Sequence, residues 1–432
     1  MVVPLPPYVV PELNCELFVL ILTALRKVTH GINAQISRNS KMDMRVSLRH
    51  KQNLQPDPPG CDLSSSMQTA ARNLCLFLFV CILVGSSARA ETPDLESIRK
   101  DIESYKALPK FIPPGPAFDA KKAMQNKSIV SIPVSSSIPF ITTLEQAFDN
   151  VSKEIGFKFM EWKNQGHIPE WQNGMNYAVS QKFDLVDLLA GADPRILKTQ
   201  IETGTQAGVK VVSSHYSGMK QTVVPYLTSN IPSDYETGAR LLAEWAILRT
   251  NGKPNVLVIT SDEVFSTAAM VDAMKAEFAL FPDSKVAYVN VPITDWASKI
   301  QPTVQSAIQG NPDLNFIIPV YDSMSQFVVP AITLTGAGNR VKITSFNGTP
   351  FVIGYVQQGK VDMDVGESLD WSARGIMDAE MRLIAGLEPI KDTHTPVHIF
   401  DSTNADSAGH PPKPNAGYGT EYVNEFHKLW GL

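Results

Sequence analysis

From residue 127 onward, short apolar runs rich in β-branched residues alternate with segments whose apolar positions recur every three to four residues. The runs SIVSIPV, GFKFMEW, FDLVDLLA, VKVVSS, NVLVIT, KVAYVNV, NFIIPV, VKITSF and VDMDVG predict strands. Helical spacing between them predicts helices over 142–155, 170–181, 193–208, 237–250, 266–280, 296–309, 323–335, 350–358 and 372–386. Strands apolar on both faces, alternating with helices, argue for parallel sheets covered on both sides. About ten strands exceed one ordinary sheet. The fold class expected is therefore α/β, with two doubly wound parallel-sheet domains and a break near TSNIPSDYETG. Ahead of them, Leu95, Ile98, Ile102 and Leu108 mark a helix over 93–108. PKFIPPGPAFDAKKAMQNK then reads as an extended linker, because proline lacks an N–H and fixes φ.

In open α/β sheets, ligands bind beyond the carboxyl ends of the strands. That rule selects Ser135 and Ser136 through Phe140, then Trp162, His215, Tyr216, Tyr321, Asp322, Asn347 and Glu367. Several have a plain structural alternative. The serines could simply end a strand. Trp162 and Trp171 stand equally as core or cleft residues. Asp322 could cap the helix that begins at Ser323, and Asn347 could serve only the Asn-Gly turn.

The amino-terminal stretch has a different pattern. In MQTAARNLCLFLFVCILVGSSARA (67–90), Arg72 precedes an apolar run from Leu74 to Val84, and Ala88-Arg89-Ala90 has the form of a cleavage site. This reads as a secretory signal, too short for a confident membrane span. Residues 1–66 read as a non-native or unstructured leader, and 91–126 as the helix and proline-rich linker. All four cysteines (Cys15, Cys61, Cys75 and Cys81) precede Glu91, so the expected mature chain has no disulfide or thiolate chemistry. Residues 1–90 hold nine of the 38 Lys and Arg and five of the 43 Asp and Glu, which leaves 91–432 at a net charge of −9. An acidic, cysteine-free, exported chain suits a bacterial periplasm and gives no sign of nucleic-acid binding.

Motifs of catalysis are missing. There is no phosphate-binding G-x-x-x-x-G-K-[ST], no G-x-G-x-x-G after a strand, no G-x-S-x-G and no H-E-x-x-H. His394, His398 and His410 fall in a proline-rich tail without the spacing of a metal site. His215 could act as a base, but no nucleophile and acid stand in a recognisable pattern with it. A catalyst, a cofactor and a metal are not expected.

The order of elements from about 127 to 391 resembles the type I periplasmic binding proteins, the ribose/galactose-like sugar receptors of ABC importers. PVSSSIPFI is similar to that family's first strand and Pro-Phe turn, and FDLVDLLAGADPRILKTQIETGTQAGVKVV to its strand, loop, helix and strand succession. SDYETGARLLAEW is similar to the segment after the first crossover, TDWASK and VYDSM to the D-W/F and N-D segments, and FNGTP to the F-D-G-T-P second crossover. The resemblance implies two lobes joined by a three-segment hinge and closing on a ligand. One would hold 127–231 with 349–390, the other 232–348 with 391–432. It also implies a small-molecule ligand, an ABC permease complex in the inner membrane as partner, and a monomer.

The departures bear on specificity. Where the sugar receptors carry Asp-Arg, this chain has His215-Tyr216; the expected second-lobe Arg falls at Met270; Tyr321 replaces the Asn before Asp322; Asn347 replaces the Asp of F-D-G; and Glu367 replaces the Gln before the last helix. Phe140 and Trp296 keep the aromatic faces, though Trp296 could equally be a helix-start core residue and Met270 a packing residue. A receptor for a small sugar-like or polyol ligand is expected, with a non-sugar, aromatic or amine-bearing ligand as the alternative. In that alternative Glu367 faces a cation and His215 a hydroxyl. A receptor presenting ligand to a membrane sensor would share the same cleft.

Overall fold

Each predicted apolar run becomes a strand, buried on both faces inside the sheets and partly exposed at the edges. The structure, a computed structural model, describes residues 94–432; the expected leader and signal segment lie outside the described residues. After α1 (Leu95–Ser104) and α2 (Ala120–Ala123), the first lobe is built from β1 (Ser128–Pro133), α3 (Pro139–Ile155), β2 (Lys158–Glu161), α4 (Ile168–Ser180), β3 (Leu185–Leu189), α5 (Lys198–Gln206), β4 (Lys210–Ser214) and β5 (Ser229–Ile231). The five strands form one parallel sheet in the order β2-β1-β3-β4-β5. β3 is buried along its whole length and β1 after its first residue, which is why these strands read as unbroken apolar runs. α3 begins with Pro139 in its first turn and ends on Gly156 at φ 96°, a left-handed position that favours glycine.

The second lobe follows with α6 (Tyr235–Arg249), β6 (Asn255–Thr260), α7 (Phe265–Ala279), β7 (Lys285–Asn290), α8 (Gln301–Gly310), β8 (Phe316–Pro319), α9 (Ser325–Leu334), β9 (Lys342–Asn347), α10 (Pro350–Gln357) and β10 (Met363–Glu367). Then come α11 (Leu369–Ala385), β11 (Val397–Asp401) and α12 (Glu421–Trp430). The second sheet runs β11-β10-β9-β8-β6-β7, parallel except for the edge strand β11. Gly238 lets α6 lie close on β9, since a Cβ there would come within 2.6 Å of the Phe346 ring. This gives the glycine of SDYETG a packing reason.

The lobe boundaries differ from those expected. β10 pairs with β9 and β11, so 350–367 belongs to the second sheet and not to the first lobe. The return to the first lobe is made by α11, which packs on α3. α12, expected in the second lobe, also packs on α11, and His427 pairs with Glu154 of α3. Periodicity identifies elements but not the sheet each joins, which is decided by pairing partners far away in sequence.

Three segments cross between the lobes inside this framework: 232–234, Ser368 and 386–396. The chain ends add two more passages. α1 packs on α6 of the second lobe through Ile98 and Ile102, and Tyr105 O accepts from Ile399 N in β11. The same segment then reaches the first-lobe side, where Phe118 N donates to Leu429 O and Phe111 stacks on Trp371. The predicted helix and linker are thus a strap over both lobes.

Candidate functional site

The carboxyl ends of the strands in both sheets face one cleft, as the topology requires. At its base lies a small cavity, about 30 Å³ in this closed arrangement, walled by side chains from both lobes. From the first lobe come Val134, Ile138, Phe140, Ile141, Ala190 and His215. The second lobe adds Tyr235, Val264, Ile293, Trp296, Tyr321, Ser323 and Asn347.

His215 follows β4 directly, in the left-handed region at φ 49° and fully buried. Its Nε2 lies 2.5 Å from Glu367 Oε1, at the end of β10. Its Nδ1 meets the hydroxyl of Tyr235, which also donates to the His215 carbonyl at 2.9 Å. Phe140 and Tyr235 flank the imidazole with ring centroids at 4.9 and 5.0 Å. Glu367 is shared further: Asn347 Nδ2 donates to Oε1 at 3.4 Å and Ser372 Oγ to Oε2 at 3.3 Å. One histidine therefore ties the strand ends of the two lobes together.

The other polar groups of the cavity are also committed to protein partners. The Tyr321 hydroxyl lies 2.8 Å from Thr267 Oγ1 and 3.1 Å from Ser266 Oγ, and burial pushes the phenol up to about 12. Trp296 Nε1 donates to Ser261 Oγ at 2.8 Å, leaving its ring to the cavity wall. Ser323 Oγ accepts from Phe140 N at 3.3 Å, a bond between the lobes. Asp322 sits behind Ser323, where it accepts from Thr349 N at 2.6 Å and Thr349 Oγ1 at 2.7 Å. Burial raises its carboxyl to about 7 against those two hydrogen bonds.

The lip of the cleft is closed by aromatic contact. Tyr216 stacks on Phe265 of α7 at 4.8 Å and 4°, and its hydroxyl donates to Asp193 Oδ1 at 3.0 Å. Arg195 lies over the other ring, 5.1 Å from the Phe265 centroid, and Gln221 Nε2 donates to Phe265 O at 2.8 Å.

Of the positions chosen from sequence, Phe140, His215, Trp296, Tyr321 and Asn347 come together on the cavity, with Glu367 directly behind His215. The rest are placed elsewhere. Ser135 and Ser136 hold the loop after β1: Ser135 Oγ lies 2.9 Å from Ser137 Oγ, and Ser136 Oγ accepts from Asn164 N. Trp162 packs against Tyr177 of α4 and donates to Glu170 O. Met270 is fully buried within α7, away from the cleft. Asp322 serves the turn at Thr349, and Tyr216 the lip. The rule of strand ends missed Tyr235, which stands one residue after the N-cap Asp234 of α6. A signal was available, because the helix following a crossover starts at the cleft. It also missed the aliphatic wall of Ile141, Val264 and Ile293. Among the described residues, no group of three His, Cys, Asp or Glu side chains is placed to hold a metal, and no helix is long and apolar enough to cross a membrane.

Two α/β lobes, joined by several chain segments with a cavity between their strand ends, have the architecture of two-lobed binding proteins. The family model of the periplasmic binding protein domain matches residues 129–388, and the chain belongs to that family. A search of curated protein sequences gave no match. Solved structures share the fold at low identity. The 5-methylthioribose transporter solute-binding protein of Thermotoga lettingae TMO, solved with 5-methylthioribose, is 17% identical over 73% of this chain and 96% of its own, with a TM-score of 0.61. An ABC transporter solute-binding protein of Agrobacterium vitis with bound allitol is 17% identical over 66% and 98%, at 0.58. One from Actinobacillus succinogenes 130z with bound D-allose is 16% identical over 65% and 99%, at 0.57.

Proposed function

We propose that the protein is a periplasmic receptor that captures a small neutral ligand, carbohydrate-like in size but with few hydroxyls, and delivers it to an ABC permease complex in the inner membrane. The observation that carries the reading is the cavity lining. Aliphatic and aromatic side chains make up most of it, and its polar groups are largely hydrogen-bonded within the protein. A ligand rich in hydroxyls needs free carboxylate, amide and guanidinium forks. Here no Lys or Arg lines the cavity, which disfavours an anion, and Glu367 is taken up by His215. The similar structures with allitol, D-allose and 5-methylthioribose support the carbohydrate-like size. Phe140, Tyr235, Trp296 and Tyr321 favour a second reading, a small neutral aromatic ligand that would present its ring to these faces.

The test is a thermal-shift series with allitol, D-allose, 5-methylthioribose and benzyl alcohol, backed by mass spectrometry of whatever the denatured protein releases. The compounds with an apolar face are expected to raise the melting temperature most. Ligand at 100 times its Kd stabilises by about 2.7 kcal/mol. Tight binding of a sugar phosphate or a dicarboxylate would overturn the reading.

A further inference from the structure

We propose that the cleft takes a two-part ligand, with a compact, weakly hydroxylated ring in the inner cavity and a hydroxylated second part in a vestibule outside it. The proposal rests on the reading of the inner cavity given above. Val134, Val264 and Ile293 line both spaces and form the neck between them. The inner cavity measures about 30 Å³ and the vestibule about 340 Å³. The space beyond the neck is therefore much the larger of the two, in the range of an ordinary small-molecule site. The neck is close-packed: a Cβ on Gly191, at φ 119°, would stand 3.3 Å from Val134 Cγ2 and 3.5 Å from Val264 Cγ1.

The two walls of the vestibule differ in chemistry. The first lobe supplies Ile168, Trp171 and Ile196; the two isoleucines are 41% and 44% exposed. Large apolar side chains left bare beside a deep cleft suit the C–H face of a ring. The second lobe supplies Glu263, Asn290 and Thr294. Glu263 Oε1 accepts from Ile293 N and Asn290 Oδ1 from Asp262 N. These three lining residues also carry a second carboxylate oxygen, an amide donor and a hydroxyl, groups suited to ligand hydroxyls. Asp193, on the same wall as the isoleucines, is bound by Arg195 and Tyr216 and adds no free charge. An apolar wall opposite an acceptor-rich one matches a sugar ring lying on its C–H face. The ligand class is thus an aryl or alicyclic glycoside, with the aglycone innermost.

Calorimetric titration of the purified protein with benzyl alcohol, D-glucose and phenyl β-D-glucopyranoside tests this. The glucoside is expected to bind at least tenfold more tightly than either piece. The double variant Ile168→Ser, Ile196→Ser, changed only at exposed positions, should abolish that gain and leave benzyl alcohol within twofold. A glucoside that binds no more tightly than benzyl alcohol overturns the two-part ligand while the inner-cavity reading stands. A gain that survives the double substitution also overturns it. Failure of all three compounds to bind overturns it and counts against the inner-cavity reading as well.

Discussion

At the scale of the residue, His215 is the pivot. Its backbone turns into the left-handed region just after β4, and both ring nitrogens are engaged by groups from the second lobe. Sequence placed His215 and Glu367 at strand ends but could not tell that they meet. The alternative in which Glu367 waits for a cationic ligand gives way to a bond within the protein. Glu367→Ala should therefore cost stability as well as any effect on the ligand, because it leaves a buried imidazole nitrogen unpaired. The expected loss is about 1–3 kcal/mol in chemical denaturation, and Glu367→Gln should recover part of it. Equal stability of wild type and Glu367→Ala would show that the pair contributes nothing to closure or folding. Met270 teaches the converse. It occupies a position where the family resemblance implies a ligand contact, yet it is fully buried in the hydrophobic core and lines neither the inner cavity nor the space beyond it.

At the scale of the element, the first lobe holds three buried acids that periodicity hides. Glu145 on α3, Asp187 on β3 and Glu380 on α11 lie inside the lobe, where α11 packs on α3. Ser131 Oγ donates to Glu145 Oε1 at 2.6 Å and Ser214 Oγ to Asp187 Oδ2 at 2.7 Å. Burial raises all three carboxyls, Asp187 to about 7, and the neighbouring charge of Asp187 pushes Glu380 further up. Ser214 and the charge of His215 pull Asp187 down, while Asp187 and Glu161 push Glu145 up and Lys163 pulls it down. The folded pKa of Asp187 stands above its unfolded value of about 3.9. Its contribution to stability is thus full in acid and is lost as pH rises from about 4 through about 7. Asp187→Asn should melt with a smaller drop between pH 5 and pH 8 than wild type. Asp322, also raised to about 7, keeps some pH dependence in the variant. A drop as large as that of wild type would remove Asp187 from this role.

At the scale of the whole molecule, the strap over residues 95–124 and the helix α12 tie the lobes beyond the three hinge segments. Ile98 and Ile102 anchor one end on α6, helped by the Arg240–Asp101 pair and by Lys106 with Asp401 at 2.7 Å. Ala120, Met124 and Phe118 hold the other, with Arg382 4.6 Å from the Phe118 ring centroid. A strap fixed on both lobes limits how far the hinge opens. Ile102→Asp should release the second-lobe anchor and raise the radius of gyration in solution scattering without ligand, while leaving the lobes folded by circular dichroism. An unchanged radius of gyration in a folded variant would mean that the strap does not restrain opening.

Sequence alone determined the kind of most elements between 127 and 386, because buried parallel strands and amphipathic helices differ in the period of their apolar residues, but it gave no sign of β11 or α12 in the tail. It also determined, through resemblance, the two-lobed family, and it brought Phe140, His215, Tyr321 and Asn347 of the cavity to notice through the rule of strand ends and Trp296 through the resemblance. The partner of each element was settled only by the tertiary structure. β10 joins the second sheet and α12 the first lobe because backbone pairing and helix packing depend on segments tens of residues away, which no local pattern encodes. The same holds for chemistry. Whether His215, Glu367 and Asp322 are free for a ligand depends on which groups stand within 3 Å of them, and that distance is a property of the folded chain.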